Sequence, residues 1–248
     1  MKKVADIMGM PVSIEITDTQ ATSAHFEEVF DYLRGVDATF STYKEESEMS
    51  RINRGEILPQ QYSPEMKEVF NLADKAKAQT NGFFNIQKED GKVDPSGLVK
   101  GWAIQNAEEL LHALGFSNFY IDIGGDVATS GKETEDKEWS IGIRNPFKLN
   151  EIVKVLYPKG AAVATSGTYI RGEHIYNPHT GKPADTDVIS LTVVGPRVYE
   201  ADLYATAAFA MGEGGLLFIE NKPQYEGYSI DRNGIATMTS GFEEYTSV

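Results

Sequence analysis

Apolar and polar positions along this chain of 248 residues switch repeatedly between two periods. In "PVSIEI" (11–16), Val12, Ile14 and Ile16 alternate with polar neighbours, the two-residue period of a half-buried strand. From Ser23, read as an N-cap, Phe26, Val29, Phe30 and Leu33 recur at helical spacing. Ser63-Pro64 starts a second helix that turns Met66, Val69, Phe70 and Ala73 inward and stops at Asn81-Gly82. A third helix is expected from about Leu98 to Leu114, closed by Gly115. Strands then follow one another at 118–123, 139–143, 152–157, 161–166, 188–195, 225–230 and 234–239. The stretch "EADLYATAAFAMG" (200–212) is the one clear helix among them.

Strands arriving in runs with short turns predict an α+β fold with largely antiparallel sheets, and a doubly wound nucleotide-binding fold fits poorly. No internal repeat and no charge-rich or Pro/Ser-rich linker interrupts the pattern, so residues 1–248 are read as one domain.

Composition narrows the function classes. With 41% apolar and 24% charged residues the chain is of ordinary globular type. A formal charge of −14, with no Lys/Arg cluster, argues against a nucleic-acid partner and means that a phosphate-bearing ligand needs local cations. The absence of cysteine excludes disulfides, thiolate catalysis and Cys-based zinc sites. No apolar run is long enough to span a membrane. "MKKVADIMGMPVSIEI" has two lysines but no apolar h-region, so the expected location is the cytoplasm.

Candidate chemistry begins at "DPSGLVKGWAIQ" (94–105), where Gly97 permits close backbone approach and Lys100 sits just inside a helix start that favours anions. The bland alternative is a solvated lysine after an Asp-Pro turn. "IDIGGDVATSG" (121–131) runs a strand into Gly124, Gly125 and Asp126, which suits either a flat ligand lying on bare backbone or an ordinary hairpin turn. Arg144 in "IRNP" and Arg171 in "ATSGTYIR" supply cations. Thr165, Ser166 and Gly167 offer hydroxyls and open backbone, and His174 and His179 could move protons. His25 and His112 fall in amphipathic helices, no HExxH is present, and there is no GxSxG nucleophile elbow. In the late helix, Asp202 reads in isolation as an N-cap and Thr206 as a hydroxyl bonding back to a carbonyl.

The order of segments is more specific than any one of them. "MGMPVSIEI", "FSTYKEESEMSRIN", "DPSGLVKGWAIQ", "IDIGGDVATSG", "IRNP", "AVATSGTYIR", "HIYNPHTGKPA" and "EADLYATAAFAMG" together resemble the FAD:protein FMN transferase family, the ApbE-like flavin transferases, from Met8 to about Gly212. The resemblance implies an enzyme that splits FAD at its pyrophosphate with the help of Mg2+. It releases AMP and joins FMN through its phosphate to a Thr or Ser of an acceptor flavoprotein. It also implies a metal site at Asp202, Thr206 and the Gly97 carbonyl. A flavin dinucleotide site is implied at Met8, Met10, Tyr43, Gly97, Lys100, Gly124, Gly125, Asp126, Arg144, Thr165, Ser166, Gly167 and Arg171. Lys100 and Asp202 are the implied catalytic groups, with His174 taking the acceptor hydroxyl's proton.

Two positions depart from the family pattern. Asn85 stands where the family usually has an aspartate after "GF", and Asn177 where it commonly has "DP" after the histidine. Both swaps keep hydrogen-bonding ability and remove charge. Most family members also carry an export signal or lipid anchor, which this sequence lacks. Two other readings stay open: a magnesium-dependent FAD pyrophosphatase giving FMN and AMP, and a non-catalytic flavin-binding protein.

Overall fold

The computed structural model describes residues 1–88, 90–169, 172 and 175–247. Its centre is an antiparallel sheet of eight strands. These are β1 (Lys2–Ile7), β2 (Met10–Ile16), β3 (Phe119–Ile123), β4 (Asp126–Ser130), β7 (Ala162–Gly167), β10 (Val188–Gly195), β11 (Glu226–Asp231) and β12 (Ala236–Met238), side by side in that order. Between β4 and β7 the chain makes a separate hairpin, β5 (Ile141–Asn145) with β6 (Lys148–Leu156). Between β7 and β10 it makes a two-residue ladder, β8 (Tyr176–Asn177) with β9 (Lys182–Pro183).

The alternation of Val12, Ile14 and Ile16 puts all three on one sheet face, fully buried, with Ser13 and Glu15 on the other. Helices cover that apolar face: α1 (Ser23–Phe40), α3 (Pro64–Gln79), α4 (Ser96–Ala113) and α5 (Val198–Met211), with the short α2 (Glu48–Asn53) and α6 (Gly215–Glu220) at its margins. The opposite face is closed over β4, β7, β10 and β11 by the β5–β6 hairpin and the turn at Phe242–Tyr245. There Ile141, Ile143, Leu156 and Phe242 pack on Val127, Val163, Val194, Tyr228 and Ile230.

Local chemistry fixes the helix ends. Ser63 Oγ accepts from the Met66 amide at 3.1 Å, a cap of a type that contributes about 1 kcal/mol, and Pro64 occupies the first helical position. For α1 the cap is Thr22 rather than Ser23: the Thr22 amide donates to His25 Nδ1 at 3.1 Å, so His25 serves the helix start. Gly115, at φ 88°, follows α4. Helix α5 begins at Val198 after Arg197, so Asp202 is one turn inside it and the capping reading of that residue is corrected.

Two strands of the large sheet, and the short β8–β9 ladder, lay outside the sequence expectation. β1 has no apolar alternation in "KKVADI", where Val4 and Ala5 are adjacent, yet pairs along its whole length with β2. β4 follows Gly124-Gly125, which take left-handed φ of 62° and 98° and close a tight β3–β4 hairpin. The hairpin reading of that Gly-Gly pair therefore holds, and it leaves Gly124 facing the cavity described next. No helix among the described residues is long and apolar enough to cross a membrane.

Candidate active site

A cavity of about 360 Å³ opens where α4, α5 and the end of β7 meet. Its floor is Gly97, Lys100, Thr165, Ser166, Gly167, Asp202 and Thr206. Its rim brings Met8 and Met10 from the β1–β2 turn, Tyr43 from the loop after α1, and Gly124. Eleven residues that the family resemblance singled out from distant segments thus share one wall. Asp126 stands just behind it, buried, while Gly125 and Arg144 are exposed and off the wall. Tyr43 is 96% exposed at the rim, so its ring is open to solvent rather than packed. Arg171 and His174 lie outside the described residues.

Asp202 is 3% exposed, and its position depends on how closely two helices approach. Gly101 in α4 has no room for a side chain: a Cβ there would lie 3.0 Å from both Asp202 Cβ and Tyr199 Cα. Alanines 201, 205, 207 and 208 let α5 pack as closely on its other sides, each being fully buried. Across this contact the Gly101 amide donates to Asp202 Oδ2 at 3.1 Å. Lys100 Nζ lies 3.6 Å from Asp202 Oδ1 and makes its closer ion pair with Asp126. Asp126 Oδ1 in turn accepts from the Thr165 amide at 3.1 Å, tying α4 to β7 through β4.

Burial drives the Asp202 carboxyl well above the usual aspartate range; the Lys100 charge opposes the shift and nearby Asp126 adds to it. Next to this trio, Thr206 Oγ1 lies 3.2 Å from Ser166 Oγ, and Thr165 Oγ1 lies 2.9 Å from Thr192 Oγ1.

Oxygen-bearing residues lie side by side here. Asp202 and Thr206 are four residues apart on one helix face, and Gly97 adjoins them, since a Cβ on it would lie 4.0 Å from Thr206 Cγ2. A carboxylate, a hydroxyl and a backbone carbonyl suit a magnesium-type cation that keeps positions for phosphate oxygens and water. Among the described residues no three acidic, His or Cys side chains group as a multi-carboxylate or His-rich metal centre.

The cavity also has walls that sequence reasoning passed over. Lys88 Nζ pairs with Asp94 Oδ2 at 2.7 Å, and Asp94 Oδ1 accepts from the Ser96 amide at 3.1 Å at the start of α4. Burial works to raise the Asp94 carboxyl, but Lys88 and Ser96 outweigh it and hold it below the usual range. "DPS" is itself a signal for an acid bonding two residues on, so this role was available in the sequence. Lys88 carried no such signal. Asn85 is on the wall, with its carbonyl accepting from Tyr176 Oη at 2.8 Å. Asn177 is off it, accepting from the His179 amide at 2.9 Å, and the His179 ring packs edge-on against Phe83.

A family model described as the ApbE family matches residues 8–90 and 86–229. The chain belongs to the ApbE family. Among curated relatives, a FAD:protein FMN transferase of Vibrio cholerae is 30% identical over 164 residues, covering 62% of this ApbE-family chain and 48% of its own length. The match therefore spans about half of that relative. One of Haemophilus influenzae is 26% identical over 90% of this chain and 83% of its own length. Two solved structures share the fold: the flavin transferase ApbE from Vibrio cholerae has a TM-score of 0.86 at 23% identity, over 99% of this chain and 98% of its own. An ApbE protein from Thermotoga maritima has a TM-score of 0.87 at 20% identity, over 100% and 99%. The mixed helical and antiparallel architecture expected from the order of strands is the architecture of these ApbE structures.

Proposed function

We propose that the chain is a magnesium-dependent FAD:protein FMN transferase. The observation that carries the reading is the meeting, in one cavity, of an oxygen donor pair on α5 with the hydroxyls of β7 and the thioethers of the β1–β2 turn. The names of its relatives point the same way. Asp202, Thr206 and the Gly97 carbonyl would hold the cation, which neutralises charge on the pyrophosphate when bound. Met8 and Met10 would lie against the flavin ring, with Tyr43 closing over it from the rim. Thr165, Ser166 and Gly167 would hydrogen-bond the dinucleotide.

In the transfer, a Thr or Ser hydroxyl oxygen of the acceptor bonds to the phosphorus of the FMN half, and the bond from that phosphorus to the bridging oxygen breaks. AMP leaves with that oxygen. His174 is assigned the hydroxyl's proton. Displacement at phosphorus is served mainly by positioning and by neutralising oxygens, which is what this cavity offers. The acceptor is expected to be a flavoprotein with a short Ser/Thr-Gly-Ala-Ser/Thr-like motif. Mass spectrometry of such a protein, after incubation with FAD and magnesium, should show one FMN adduct per motif and an equal amount of AMP. An unmodified acceptor with FAD bound to the enzyme would overturn the proposal; rapid AMP release without acceptor would replace transfer by hydrolysis.

A further inference from the structure

The trio behind the cavity floor has an unequal geometry. Lys100 is 18% exposed, and its ammonium sits between two carboxylates that are all but sealed from solvent. It is close to Asp126 and stands off Asp202 Oδ1 at 3.6 Å. The two carboxylates do not compete for the same remaining donors. Asp126 Oδ1 takes the Thr165 amide and Asp202 Oδ2 the Gly101 amide, while Asp202 Oδ1 faces the ammonium at 3.6 Å and the residue lines the cavity. A monovalent cation thus occupies the neighbourhood into which Asp202 and Thr206 would bring a divalent one. In low-dielectric surroundings two cations so placed repel strongly.

We propose that the Lys100 ammonium stands beside the place of the metal and is kept off the Asp202 carboxylate by its closer ion pair with Asp126, so that the Lys100–Asp126 pair sets the affinity of the Asp202–Thr206 site for a divalent cation. The inference rests on the metal reading proposed above. In it Asp126 is a positioning residue that never touches the cation. With Lys100 anchored, Asp202 Oδ1 is screened enough to be buried beside Asp126 yet open to coordination. Removing the anchor releases the ammonium onto Asp202; removing the ammonium leaves the carboxylate to the metal alone.

The test is Mn2+ binding at pH 8 without FAD, read from loss of the free Mn2+ signal in electron paramagnetic resonance, on four proteins: wild type, Lys100→Met, Asp126→Asn and the double variant. Lys100→Met should tighten binding about tenfold or more. Asp126→Asn should weaken it about tenfold or more while Lys100 is present, but less than about threefold in the Lys100→Met background, because a clamp has no effect once its cargo is gone. Equal losses from Asp126→Asn in the two backgrounds would mean that its charge alone matters and would overturn the clamp. Absence of Mn2+ binding by the wild type would overturn the metal reading itself, and with it this inference. Should Lys100→Met fail to give the wild-type circular dichroism spectrum, Lys100→Gln takes its place in both arms.

Discussion

Met8 lines the cavity at φ 56°, a left-handed conformation that costs a non-glycine residue about 1 kcal/mol or more. The tight turn between β1 and β2 would be easier with Asn there, so the thioether is kept at the rim against the preference of the backbone. Met8→Asn relieves strain and loses packing. Its urea midpoint should correspond to a stability within about 1 kcal/mol of wild type, while FAD affinity measured by fluorescence quenching falls at least fivefold. A large stability loss would show that Met8 is there for the core. At this scale the sequence was legible where a residue type has one use, as with Ser63 capping α3. It was ambiguous where one type has several, and Asp202 is the case in point. An acid near the start of an apolar run suits a cap, and only the start of α5 at Val198 moves Asp202 into the buried contact with Gly101. Lys88 could not be singled out, because its part in the cavity depends on the fold of the 85–94 segment, which no periodicity announces.

Helices α4 and α5 are the elements on which the site depends, and Gly101 is their contact point. Glycine inside a helix costs about 1 kcal/mol relative to alanine, so propensity alone favours Gly101→Ala. A Cβ at Gly101 would lie 3.0 Å from Tyr199 Cα and from Asp202 Cβ, and backbone on one side cannot give. Gly101→Ala should therefore destabilise by about 1–3 kcal/mol in urea unfolding, and should disturb the Gly101–Asp202 bond enough to cut AMP release tenfold or more. Stabilisation by the alanine would show that the helices can slide apart. Helices α1 and α3 were legible because their apolar residues recur on one face over several turns, and α5 by its run of small and apolar residues, buried on nearly every side; the six-residue α2 and α6 were not. β1 and β4 were not: "KKVADI" and "DVATS" are short, and their pairing comes from neighbours distant in sequence or across a tight glycine turn.

For the molecule as a whole, the order of eight segments was enough to give the fold class and family, while the sheet order was not written in any segment. β4 joins β7 with a whole hairpin looped out between them, a decision made by the second apolar layer that Ile141, Ile143 and Leu156 complete. Stability should carry a pH signature of its own. Burial pushes the Glu108 carboxyl up to about 7, with Glu109 adding repulsion. The folded protein thus keeps this proton up to about pH 7 while the unfolded chain releases it near the ordinary value of 4.5. The contribution is complete below that value and is lost as pH rises through 7. Glu108→Gln should remove this dependence, losing about 1 kcal/mol less than wild type between pH 5 and pH 8 in urea titrations, the figure being discounted for partial solvent screening. Parallel pH profiles of the two proteins would contradict it.

The most direct measurement is AMP release from FAD, by chromatography, as a function of magnesium for wild type and Asp202→Asn, in the presence of an acceptor protein. The predicted result is release by the wild type that rises with magnesium and stops with EDTA, and a variant with the wild-type circular dichroism spectrum whose rate is lower by about 1,000-fold. A wild-type rate indifferent to EDTA, or a folded Asp202→Asn protein that still releases AMP at the wild-type rate, would contradict the assignment of the α5 pair to metal-assisted cleavage.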